Sequence, residues 1–253
     1  MTQDNKTNKK NKFTRTNLIC ILLIIALGML MITTYAYTNR QEIALRLASK
    51  NTSTSTATKE ALPTELTTVT SYQYLVNKSH QIPSDYVPTD LTTPYLNSTT
   101  DVIQLRQEAA DKAKEMKNAA SEAGVKLIVS NGYISYATQE EIYRSHQQLL
   151  GDAVDLSMPK AGYSEHQLGL AIDFTDDASK SNATSEFANT DAGKWLYEHA
   201  HEYGYILRYP EGKSDITGYN YMPWHYRYVG VDVANAMYAI SPTETLEEYY
   251  NVN

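Results

Sequence analysis

The sequence predicts an α+β domain, a small and mostly antiparallel sheet with surrounding helices, preceded by a single transmembrane helix. Three observations lead there. Helical and strand-like stretches are mixed without the regular alternation of a parallel α/β fold. An uncharged apolar run occupies positions 18–37. The short strands toward the C-terminus carry histidine and aspartate among apolar neighbours.

Residues 1–17 are basic, with Lys6, Lys9, Lys10, Lys12 and Arg15 against Asp4 alone. As a helix, residues 18–37 span about 30 Å, enough to cross a bilayer. The basic flank stays cytoplasmic, which puts the rest of the chain outside. A cleaved signal peptide is the competing reading, but Thr34, Tyr35 and Ala36 match a small-x-small cleavage site only in part, so an uncleaved anchor is preferred. Cys20 is the only cysteine. It follows Ile19 and precedes most of the apolar run, which excludes a lipoprotein signal. The outer domain therefore has neither a disulfide nor a thiolate ligand.

Residues 38–71 form a Ser/Thr-rich stalk, and 38–50 can extend the membrane helix. The outer domain then covers 72–253. Its first part, Leu75-Val76-Asn77-Lys78 through Pro83, Tyr86, Pro88 and Asp90-Leu91, is an extended arm whose prolines forbid a long helix. Val102, Leu105, Ala109, Ala113, Met116 and Ala120 keep a helical stripe over 101–123, which Gly124 ends. A strand over 125–129 follows. Thr138 with Glu141 predicts a capping box for a helix to Leu150. Residues 170–174 make a strand, 191–201 a helix closed by Gly204, and 205–209 and 224–229 two more strands. A helix over 231–240 comes next, and Thr245 with Glu248 caps a last turn.

The chain carries 22 Lys and Arg against 29 Asp and Glu, and setting the basic tail aside leaves a balance of −11. That disfavours nucleic acid, which rewards clustered positive charge. The 21 tyrosines against 3 phenylalanines suggest some rings on a polar groove and most in half-buried packing.

The densest chemistry lies in Ser164-Glu165-His166-Gln167-Leu168-Gly169-Leu170-Ala171-Ile172-Asp173, answered by Trp224-His225. Two imidazoles and one carboxylate suit a catalytic zinc ion with one open position. Gly169 and the β-leaning Ile172-Asp173-Phe174 argue for a loop running into a strand. On its strand His225 points to the opposite face from Trp224 and Tyr226. Taken singly, a strand histidine is more often structural. His80, His146, His199 and His201 are read that way, the last two beside a helix C-terminus.

Ser-x-His-x-x-Gly-x-Ala-x-Asp followed by Trp-His resembles the zinc D-alanyl-D-alanine carboxypeptidases of the VanY-like type. Their relatives include L,D- and D,D-dipeptidases of bacterial cell walls. The resemblance covers roughly 72–250. It takes in the Leu75–Lys78 arm, the Gly132-Tyr133 and Ser135-Tyr136 turn, Gln139, Gly204-Tyr205-Ile206-Leu207-Arg208-Tyr209-Pro210, Thr217-Gly218-Tyr219, Arg227-Tyr228-Val229-Gly230 and Leu246-Glu247-Glu248-Tyr249. It implies zinc on His166, Asp173 and His225 at the sheet, Ser164 and Gln139 lining the substrate pocket, and peptidoglycan stem peptides as the partner.

Two functional positions depart from the family's pattern. Glu-Pro-Trp-His becomes Met222-Pro223-Trp224-His225, so the expected general base is a thioether. Ser-Gly-Tyr-Arg-Ser becomes Asn131-Gly132-Tyr133-Ile134-Ser135, so the expected substrate arginine is an aliphatic chain with no donor. Loss of a positioned base costs ~10²–10⁴ in rate. Glu165, Glu211 and Asp215 are the carboxylates close enough in sequence to substitute, although Glu165 is expected to point away from the metal. Tyr219 and Tyr221 offer phenols, poor bases with pKa near 10. Arg208 and Arg227 are read as support for the sheet. The reading taken is a membrane-anchored carboxypeptidase with weakened catalysis. The alternative is a non-catalytic zinc protein that binds peptidoglycan peptides or a protein partner.

Overall fold

The computed structural model describes residues 62–99, 102–175 and 183–252. The expected tail and membrane helix, at 1–37, lie outside the described residues, as do positions 38–61. Among the described residues no helix is long and apolar enough to cross a membrane. Among the described residues the folded unit already includes Leu62, packed against a buried cluster, ahead of the expected boundary at Tyr72. A short helix, α1 (Thr64–Thr67), buries Leu66 with Leu75, Val229, Met237 and Leu246.

The centre is a four-stranded antiparallel sheet of β3 (Ile128–Asn131), β4 (Ala171–Thr175), β6 (His225–Tyr228) and β5 (Tyr205–Leu207), in that spatial order. A two-stranded ladder, β1 (Leu91–Thr92) with β2 (Leu105–Arg106), lies apart from it. The ladder consumes residues expected to be helical, so the long helix α2 runs only over Gln107–Glu122. It keeps its apolar stripe, burying Ala109, Ala110, Ala113, Met116 and Ala120. Ile172, Phe174, Tyr226 and Tyr228 join the same core. Their alternates Ala171, Asp173, His225 and Arg227 therefore lie on the other face, by the two-residue period of a strand.

Helix α3 covers Tyr136–Leu150. Its cap is Ser135, whose Oγ accepts from the Thr138 N–H, so the expected capping box at Thr138 and Glu141 is not what starts it. Serine is as good a cap as threonine, and here it falls where the backbone leaves the extended region. Helix α4 (Asp191–His199) tightens into a 3₁₀ turn over Ala200–Tyr203 before Gly204 closes it. Helix α5 (Ser214–Thr217) precedes β6. Helices α6 (Val231–Ile240) and α7 (Leu246–Tyr249) fall where the sequence puts them, and Thr245 with Glu248 forms a complete capping box.

Candidate metal centre

Strand register builds the site. Asp173 of β4 pairs with His225 of β6 on one side and with Asn131 of β3 on the other. A register shift between Val129 and Asn131 brings Asn131 opposite the aspartate. A row of three polar side chains thus crosses the sheet, and Asn131 Nδ2 donates to Asp173 Oδ2 at 3.0 Å.

His166 comes from a 3₁₀ turn, Glu165–Leu168, that leads into β4. Gly169 ends that turn with φ +67, and a Cβ there would lie 2.8 Å from Leu91 Cδ2. The glycine is thus required twice over, by backbone conformation and by crowding. The turn faces the loop after β3. His166 Nδ1 donates to the Gly132 carbonyl at 2.6 Å, and Ile134 N–H donates to the His166 carbonyl at 3.2 Å.

Three donor groups converge. His166 Nε2 lies 3.2 Å from Asp173 Oδ2, and His225 Nδ1 lies 2.8 Å from Asp173 Oδ1. One ligand atom from each of His166, Asp173 and His225 lies within 4.8 Å of the others, a group that could hold a metal ion. All three side chains are buried. The outward nitrogens are also spoken for, Nδ1 of His166 by Gly132 and Nε2 of His225 by Glu165 Oε2 at 3.4 Å. Partners of this kind fix tautomer and ring orientation in metal-ligating histidines. The donor set is one that zinc takes in open, three-ligand sites.

Beneath His225 lies a buried ionic network that sequence reasoning resolved only in part. Glu165 meets Nε2 of His225, across the ring from the Nδ1 that faces Asp173. Its Oε1 accepts from Arg208 Nε at 2.8 Å and from Arg227 Nη1 at 2.7 Å. Arg208 also forks onto Glu247 of α7, at 2.9 and 2.8 Å. Arg227 Nη2 donates to the carbonyls of Tyr72 and Tyr74 in the arm. The two arginines therefore do more than support the sheet. They join the arm, β5, β6 and the C-terminal helix to one carboxylate.

Electrostatics follow from this geometry. Burial alone would raise the Glu165 carboxyl pKa, but Arg227 and Arg208 outweigh it and hold the group far below its usual range. Burial likewise works against Asp173, and the two histidines overcome it, again lowering the carboxyl strongly. For His225 burial favours the neutral ring, yet hydrogen bonds to Asp173 and Glu165 push its pKa up to about 9. Tyr209 stacks on the same ring, with centroids 5.0 Å apart.

Met222 and Ile134 are each bonded through the backbone to one of the two histidines. Met222 is buried with Tyr209 and Tyr219, and its carbonyl accepts from the His225 N–H at 3.1 Å. Ile134 is half-buried, its backbone bonded to His166. Gln139 is buried, and its amide donates to the Pro159 carbonyl at 2.7 Å. Ser164 Oγ is buried and has no hydrogen-bond partner among the described residues. Glu211 and Asp215 are exposed. Asn131, the Gly132 carbonyl and Glu247 escaped the sequence reading. Only the β-bulge explains Asn131, and no local pattern announces a bulge.

The fold and site define a class: an α+β protein with a buried His–Asp–His group at an antiparallel sheet, able to hold a metal ion. The family model described as D-alanyl-D-alanine carboxypeptidase, VanY, matches residues 102–231. YodJ of Bacillus subtilis, whose name carries a provisional carboxypeptidase assignment, is 40% identical over 181 residues, covering 70% of this chain and 66% of that protein. A D-alanyl-D-alanine carboxypeptidase of Enterococcus faecium is 34% identical over 193 residues, covering 72% and 59%. The match thus spans somewhat less than two thirds of these relatives' lengths. Among solved structures, the LD-carboxypeptidase LdcB, described for its peptidoglycan recognition, superposes with a TM-score of 0.67 at 37% identity, covering 72% of this chain and 87% of that one. A variant of the vancomycin-resistance D,D-pentapeptidase VanY in complex with Zn(II) gives 0.59 at 31% identity, covering 70% and 98%. This chain belongs to the VanY D-alanyl-D-alanine carboxypeptidase family.

Proposed function

We propose that this chain is a zinc protein of the cell surface that engages peptidoglycan stem peptides and releases C-terminal D-alanine slowly. The single observation carrying this reading is the contrast within one site. Its three ligand side chains are oriented and held from behind, while Met222 beside them has no atom that accepts a proton from water.

His166, Asp173 and His225 would hold the ion. Zinc, when bound, supplies Lewis-acid polarisation of a carbonyl and lowers the pKa of water to about 7. The chain's own residues do the rest. Gly132 and Glu165 keep the two imidazoles in the tautomers that turn Nε2 of His166 and Nδ1 of His225 toward Asp173. Ser164 offers an uncommitted buried hydroxyl to a peptide group, and Gln139 stiffens the neighbouring wall. Neither Met222 nor Ile134 replaces the proton transfer or the cationic hold that the family pattern supplies. Glu165 cannot substitute as base, because two guanidiniums and His225 occupy its oxygens.

The basic tail and the apolar stretch 18–37 support anchoring by one helix with the folded unit outside the cell. The burial of Met222 among tyrosines favours a second reading, a zinc domain that binds stem peptides with no turnover. A D-alanine release assay on zinc-loaded protein with a stem pentapeptide separates the two. Slow release that vanishes with Asp173→Ala supports the weakened enzyme. Peptide binding with no release above that variant supports the binding domain.

A further inference from the structure

A cavity of about 280 Å³ is lined by Lys78, Asp155, Met158, Lys160, Tyr163 and Tyr219. It adjoins the candidate centre on two sides. Tyr163 precedes Ser164 in the chain, and Tyr219 packs on Tyr209, which in turn stacks on His225. One wall is stiff, because the buried Gln139 amide bonds the Pro159 carbonyl at 2.7 Å and lies 3.5 Å from Met158 Sδ.

The charges lining it are unevenly committed. Asp155 accepts from the Tyr143 hydroxyl at 2.5 Å and pairs with Lys160 at 3.2 Å. Lys78 makes no ion pair among the described residues. Its ammonium lies 5.0 Å from the Tyr219 ring centroid. Its alkyl chain runs past Gly218, where a Cβ would come within 3.0 Å of Lys78 Cδ. The backbone that carries it is fixed by reciprocal Asn77–His80 hydrogen bonds at 3.2 and 3.1 Å and by Asn77 Nδ2 donating to Glu247 Oε1 at 3.3 Å. The cavity therefore holds two cations against one anion; Lys160 pairs closely with Asp155, whereas Lys78 acts on that carboxylate only through its field and has no close anionic partner among the described residues.

The geometry points to this cavity as a subsite for a carboxylate carried by the stem peptide upstream of its terminal D-alanine, with Lys78 as the residue that pairs with it. The inference rests on the peptide-binding reading above. The volume is at the small end for ligand pockets and suits one residue. An ammonium over an aromatic ring is a good carboxylate partner, since the ring keeps it in place without neutralising it. In a stem peptide two groups have this chemistry, the α-carboxyl of a γ-linked glutamyl residue and the side-chain carboxyl of a diaminopimelyl residue.

The test is calorimetric binding to the zinc-loaded full chain of three stem peptides: one with both carboxylates free, one amidated at the glutamyl residue, one amidated at the diaminopimelyl residue. Amidating the paired group is expected to weaken binding about tenfold or more. Lys78→Met keeps the alkyl packing against Gly218 and should weaken the free peptide equally, with no further loss on the peptide amidated at the paired group. Lys78→Arg should restore most of the affinity, and zinc content should not change. Equal binding of all three peptides, or an equal loss for all three in Lys78→Met, overturns the subsite and leaves peptide recognition standing. Absence of binding in every arm overturns both.

Discussion

A glutamate at position 222 would take a proton from water and return it to the leaving amine, whereas a thioether does neither. The Met222 carbonyl closes the turn that presents His225. Met222→Glu should raise D-alanine release by ~10² or more, and adding Ile134→Arg should raise it further. No gain in the double variant would locate the deficit elsewhere in the pocket. His225 carries the second residue-scale expectation. In the metal-free fold its pKa is raised from 6.5 to about 9 by Asp173 and Glu165 against the effect of burial. Its contribution to stability is then full below pH 6.5 and is lost as pH rises through 9. Thermal melts of the metal-free chain should fall between pH 7 and 9.5, relative to His225→Gln. A flat profile would mean the imidazole is neutral throughout. Zinc uptake at pH 7 should release a proton, because ligation needs the neutral ring.

At the scale of elements, antiparallel pairing of β4 with β6 does most to assemble the site, setting Asp173 opposite His225. The antiparallel character of the sheet was legible in the sequence, but the pairing of these two strands and its register were not. The facing of His225 followed from strand alternation, whereas the candidate ligand set came from the family resemblance and not from periodicity. The ends of elements were less legible, because they depend on partners far away in the chain. The long helix starts at Gln107 since Leu105–Arg106 pair with Leu91–Thr92, and a propensity argument sees only the continuous stripe. The Glu165–Arg208–Glu247 network was illegible for the same reason. Its members lie 43 and 39 residues apart and show no local pattern. Glu165→Gln keeps an acceptor for His225 but removes the charge that two buried guanidiniums share. It should lower zinc affinity at least tenfold in a chelator competition and destabilise the fold by ~3–5 kcal/mol. Unchanged zinc affinity in a folded Glu165→Gln variant would reduce the network to structural support.

Across the whole molecule, the arm, the sheet and the C-terminal helix meet at one carboxylate behind the candidate centre. The site is therefore a product of the complete folded unit, and Leu66 shows that unit starting before the expected end of the stalk. A Ser/Thr-rich composition marks where a linker can be, but a single buried leucine within it outweighs that bias. The full chain should sediment with membranes and resist alkaline extraction, and a chain lacking residues 1–37 should not. Recovery of the full chain in the soluble fraction would refute the anchor.

The proposed chemistry requires a metal held by His166, Asp173 and His225. Elemental analysis of the purified chain after exhaustive dialysis should find one zinc per chain, and none in Asp173→Ala folded to the same extent. A wild-type chain without zinc after loading, or a variant that retains it in full, would contradict that assignment.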